Sequence, residues 1–118
     1  MRVLIFAIVA LCTCPAILDA AGSGPWRGRT ENGGSVSFRV RGGKVVGFRF
    51  VNACPADSAR GTLVSARMVI RRGRFAHHDT QFTVKGRIGR RRAVGTARDV
   101  TGSCDSGVLR FTARRRQR

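Results

Sequence analysis

The strongest constraint on this chain is a two-residue rhythm cut repeatedly by glycine. Val36, Phe38 and Val40 alternate with Ser35, Ser37, Arg39 and Arg41. Val46, Phe48 and Phe50 alternate with Gly47 and Arg49, and Val64, Ala66, Met68 and Ile70 with Ser65, Arg67 and Val69. Phe82, Val84 and Ile88 alternate with Thr83, Lys85 and Arg87; Leu109, Phe111 and Ala113 alternate with Arg110, Thr112 and Arg114. Successive side chains of a strand point to opposite faces, so each segment reads as a half-buried antiparallel strand. Residues 26–30, 74–77 and 93–100 are weaker strand candidates. Glycines at 33–34, 42–43, 61, 73, 89, 102 and 107 fall at the joints, and no stretch carries a helical period.

About seven or eight short strands with tight joints and no crossover helix predict one all-β domain over residues 23–113. The expected architecture is a single antiparallel β-sandwich, or a flattened barrel. Phe38, Phe48, Phe50, Val84, Ile88, Leu109 and Phe111 are the expected core. One hairpin register can be argued further. A two-residue turn at Gly42-Gly43 would set Arg39 against Val46, an arginine beside a core candidate. A three-residue loop with a bulge keeps Val36, Phe38, Val40, Val46, Phe48 and Phe50 on one face, and is the expected geometry.

The first 22 residues are a different material. One Arg is followed by an apolar run, then Pro15, then small residues at Ala20, Ala21 and Gly22. This is the pattern of a secretory signal peptide, with cleavage after Ala20 or after Gly22. The apolar stretch over residues 3–18 is shorter than the ~20 residues a spanning helix needs, so no transmembrane span is expected in the mature form. Export places the protein outside the cytoplasm, secreted or in the cell envelope. Cys12 and Cys14 leave with the leader. Cys54 and Cys104 remain, and an even pair in an oxidising compartment reads as one disulfide. The loop it closes is worth roughly 4 kcal/mol on the chain-entropy argument.

Charge is the feature in clearest excess. The chain carries 23 Lys+Arg against 6 Asp+Glu, a net charge of +17. Only Lys44 and Lys85 are lysine, and removing Arg2 and Asp19 with the leader leaves the balance unchanged. With even positions facing the core, Arg39, Arg41, Arg49, Arg67, Lys85 and Arg87 face water as candidate anion-binding residues. Clusters at 71–74 and 90–92 and a basic tail over 114–118 add to the field. Arginine forks suit phosphate and carboxylate, and a one-sided field attracts polyanions. Arginine-rich coding and simple solubility would produce a similar excess of Arg over Lys, though not the scarcity of acids.

Sharper chemistries find less support. Nucleic-acid readers need stacking aromatics or base-reading motifs, and the phenylalanines here lie on the apolar parity, which argues against dedicated nucleic-acid binding. His77 and His78 are adjacent, so on a strand they point to opposite faces and do not share a metal ion. Cys104-Asp105-Ser106-Gly107 resembles the nucleophile segment of chymotrypsin-like proteases. A chain order of His77 or His78, Asp99 and Ser106 can be written, but the chain is too short for two barrels, and triads are defined by geometry. No catalytic residue, cofactor site or metal site is assigned.

The order of motifs resembles a group of small exported proteins of unknown function from high-GC bacteria. The resembling pieces are Trp26-x-Gly28-x-Thr30, Val36-Ser37-Phe38-x-Val40, residues 45–50, and Cys54 with its polar loop. They continue with Ile70-x-x-Gly73-x-Phe75, Ile88, Ala93-x-Gly95-x-x-Arg98, Cys104-Asp105-Ser106-Gly107 and Phe111-x-Ala113. That pattern has Trp or Tyr where this chain has Phe111. The resemblance covers nearly all of the mature chain and implies export and a sandwich, and it carries no activity. The expected role is therefore a secreted, non-enzymatic basic module that binds an anionic envelope polymer, a lipid surface or an acidic protein. The competing expectation is an exported small enzyme or enzyme inhibitor acting through the loops at 54–61 or 99–107.

Overall fold

The computed structural model describes residues 21–51, 62–101 and 103–116. Most of the expected leader, Cys54 with its loop, and the end of the tail lie outside the described residues. The elements are β1 (Gly24–Thr30), β2 (Ser35–Arg41), β3 (Lys44–Val51), β4 (Thr62–Val64), β5 (Met68–Val69), β6 (Arg74–His78), β7 (Phe82–Ile88), β8 (Arg92–Thr101), β9 (Cys104–Asp105) and β10 (Leu109–Arg115). The chain is all-β and antiparallel as its alternation requires, and the three weaker candidate segments are full strands. Among the described residues there is no helix, hence none long and apolar enough to cross a membrane.

The layout gives the all-β antiparallel expectation a specific form. The strands form one sheet in the order β4-β3-β2-β1-β10-β8-β7-β6, with β5 also on β3 and β9 on β8. This sheet curls into a half-barrel, nearer to the flattened-barrel alternative. Side chains from β2 and β3 meet those of β6, β7 and β10 across its inside. Phe38 packs against Phe75 at 6.0 Å, and Phe48 against Phe82 at 6.0 Å and Phe111 at 5.8 Å. Two stacked sheets and one rolled sheet demand the same alternation, so the pattern alone does not distinguish them. All seven residues expected in the core are buried, and Trp26, Val45 and Phe75 join them.

The β2–β3 hairpin also differs from expectation. Its loop is the two-residue Gly42-Gly43 turn, both at positive φ, and Arg41 pairs with Lys44 and Arg39 with Val46. The conflict this creates is resolved inside β3. The register shifts between Ser37 and Arg39, so that Gly47 and Phe48 together oppose Phe38, with Gly47 at φ +61°. A glycine in the left-handed region is what such a bulge needs. The bulge flips the parity of β3. Val45 is buried before it, Phe48 and Phe50 after it, and Val46 is left half-exposed on the outer side. The expected placement of Val46 in the core is therefore wrong, while Phe38 and Phe48 do share a face and stack at 5.7 Å.

The segment over 64–70 keeps its parity but not its continuity. β4 and β5 both pair with β3, on either side of its bulge, and residues 65–67 break between them. Gly86 and Gly95 face each other across β7 and β8. A Cβ on Gly95 would lie 2.8 Å from the Phe111 ring, and one on Gly86 2.8 Å from the Phe75 ring. The glycines thus leave room for two aromatic rings to lie on the curled sheet.

Arg72 is the one described residue other than glycine at positive φ, at 51°. It sits with Gly73 in a two-residue turn closed by Arg71 and Arg74, whose N–H groups each donate to the other's carbonyl at 2.9 Å. Such turns favour Asn-Gly, and the left-handed region costs an ordinary L-residue roughly 1–2 kcal/mol. Arg72→Asn is expected to raise stability by about 1 kcal/mol in urea unfolding; a decrease would show that the arginine makes compensating contacts.

Candidate anion-binding surface

Alternation sends the charges to the outer, convex face, and the register of the ladder decides which of them become neighbours. Ser37 pairs with Arg49 on one side and Arg27 on the other. Arg27 pairs with Arg114, and Arg114 with Arg92. The sequence Arg49–Ser37–Arg27–Arg114–Arg92 therefore crosses five adjacent strands as one row perpendicular to them. The four arginines are exposed. Strands lie about 4.8 Å apart, so the row runs roughly 20 Å, with three arginines on consecutive strands.

A second row lies two residues along the strands. It runs Ser35–Arg29–Thr112–Val94–Arg87–Arg74 from β2 to β6. Neither row contains an acidic residue. The described acids are engaged elsewhere. Arg110 holds Glu31 at 3.4 Å. Arg98 donates to Asp105 from Nε at 3.0 Å and Nη2 at 2.5 Å. These bonds, with the Gly107 N–H, hold the Asp105 carboxyl down at about 2 and raise Arg98. His77 donates to Asp79 at 2.7 Å, which with the Gln81 and Phe82 N–H groups lowers Asp79 to about 2. Like charges directly opposite one another in a sheet are destabilising, so the ladder pairs Arg27–Arg114 and Arg114–Arg92 do not themselves favour folding.

The sequence candidates divide on this map. Arg49 lies in the first row, Arg87 in the second, and Lys85 beside it on β7. Arg39 and Arg41 are exposed on the same face nearer the Gly42-Gly43 turn. Arg67 is exposed in the break between β4 and β5, off the ladder. Arg27 is not among those candidates, and Arg92 and Arg114 enter only as members of a loop cluster and the tail. Arg27 was legible as the outward partner of Trp26 and Gly28, but Arg92 reads as loop and Arg114 as tail. Their adjacency follows from β10 lying between β1 and β8, which no local pattern encodes. The tail itself begins later than expected, because Arg114 and Arg115 belong to β10.

The residues of the triad-like order are committed to structure. Asp99 is fully buried and accepts bonds from Thr62 Oγ1 and from Thr101 Oγ1, the latter at 3.1 Å. Ser106 Oγ donates to the Gly107 carbonyl and accepts the Asp99 N–H, both at 2.9 Å. These contacts stitch β4, β8 and β9 together. His77 bonds Asp79 and His78 bonds Thr83 at 2.8 Å. Among the described residues, no three His, Cys, Asp or Glu side chains are grouped to hold a metal ion. All described Trp and Phe rings are buried, which leaves none of these on the outer face for base stacking. Compared with known protein families, curated proteins and solved structures, the chain matches none.

Proposed function

We propose that this chain is an exported, non-enzymatic binding module whose convex face docks onto a linear anionic polymer of the cell envelope. The observation that carries this reading is the run Arg27–Arg114–Arg92, three arginines side by side on adjacent strands. A convex sheet meets a flat lipid surface along a narrow strip, whereas an extended polymer can follow the row over its whole length. The test is retention of the mature protein on immobilised polygalacturonate and polyphosphate over a salt series. Retention is expected at low salt and should fall steeply towards 0.15 M, where screening shortens to about 8 Å. No retention on either polymer at low salt overturns the proposal.

Export rests on the leader pattern, and the structure bears on where cleavage leaves the mature end. Trp26 is fully buried, and its indole N–H donates to the Gly22 carbonyl at 2.9 Å. A buried indole N–H without a partner is costly. Ala21 also packs against the core. Cleavage after Ala20 keeps both contacts; cleavage after Gly22 removes them. Intact mass of protein recovered from medium or envelope should show a chain starting at Ala21, with Cys54 and Cys104 bonded. A start at Ser23, an unprocessed leader or two free thiols would contradict this.

A further inference from the structure

A cleft of about 770 Å³ lies over β6, β7 and β8, beside β5, and is lined by Arg71, Arg74, Lys85 and Arg87 together with Val69 and Val94. The two valines are 47% and 40% exposed, and are among only four large hydrophobic residues exposed in the described chain. Single exposed apolar residues are ordinary, but here two share one recess. Val94 is ringed by charge. Its ladder partner on β7 is Arg87, Arg87 pairs in turn with Arg74, and Arg92 flanks Val94 on its own strand. A second, shallower recess of about 540 Å³ continues past Val94 to Arg72 and Arg92. The volume falls within the range of small-molecule sites, which combine apolar lining with a few placed polar groups.

We infer that this cleft binds a single-chain anionic amphiphile, an alkyl chain ending in phosphate. The head pairs with the arginine forks of Arg74 and Arg87, and the chain covers Val94 and Val69. Neither half explains the site alone. A bare anion leaves the valines in water, and an uncharged chain leaves four crowded cations with no counter-charge among the described residues. The inference goes beyond the polymer reading and does not depend on it: Arg92 borders both surfaces, but Arg27 and Arg114 of the polymer row lie outside this cleft.

The probes are decyl phosphate below its micelle concentration, inorganic phosphate and decyl maltoside. They are titrated into the mature protein while the methyl signals of Val94 and Val69 are followed by NMR. Decyl phosphate should shift both sets of methyls and bind at least tenfold more tightly than inorganic phosphate, with decyl maltoside silent. Arg87→Gln and Val94→Thr should each weaken decyl phosphate at least fivefold with the fold intact, since both side chains are exposed. Arg27→Gln with Arg114→Gln should leave it unchanged while reducing polymer retention. Equal binding of inorganic phosphate removes the apolar half of the inference, and equal binding of decyl maltoside removes the anionic half. No methyl shift at millimolar decyl phosphate overturns it entirely, whatever the polymer experiment shows.

Discussion

Phe48→Ala is expected to remove a large share of the domain's stability. Phe48 is fully buried and sits where the curled sheet closes on itself. It stacks on Phe38 from β2, meets Phe82 from β7 and takes the edge of Phe111 from β10. Removing a buried Phe costs about 3–5 kcal/mol, against a total of about 5–15 kcal/mol for an ordinary domain. Urea unfolding should show a midpoint collapse with little change in slope. Val46→Ala is the matched control, because the bulge at Gly47 turns Val46 outward, and it should cost less than about 1 kcal/mol. A large loss at Val46 with a small one at Phe48 would mean that the register of the hairpin is misplaced.

The second large effect concerns binding. Replacing Arg27, Arg92 and Arg114 with Gln removes three neighbouring charges from the first row. Polyanion retention should drop at least tenfold at low salt, and the dependence of binding on salt should flatten by about two to three counterions. Thermal stability should hold or rise, because like charges on adjacent strands repel. Affinity and stability moving in opposite directions is the signature of a surface kept for a partner. A variant that loses both together would instead show that the arginines support the sheet.

The sequence made the strands and most of the core legible, because alternation reports directly on which side of a strand is buried. It failed at β3, where one glycine in the left-handed region shifts the parity within a strand. The turn at Gly42-Gly43 and the apolar pattern each pointed to a different register, and a bulge inside β3 reconciles them. Residues 64–70 show the reciprocal effect, breaking opposite that bulge. The outward arginines of β2, β3 and β7 were readable one strand at a time. Their assembly into a row was not, since Arg114 becomes a neighbour of both Arg27 and Arg92 only through the placement of β10. Charge counting found the field; the strand order gives it direction.

Whether position or mere net charge controls binding is the question that decides between a docking surface and a generally basic protein. Two triple variants of equal charge separate them: Arg27, Arg92 and Arg114 to Gln, and Arg67, Arg90 and Arg91 to Gln. The second set is exposed but lies off the first row. The direct measurement is the salt concentration at which each protein elutes from immobilised polygalacturonate, beside the unaltered mature chain. The row variant should elute at markedly lower salt than the unaltered chain, with the off-row variant close to it. Equal shifts for the two variants would contradict a docking row and leave only net charge.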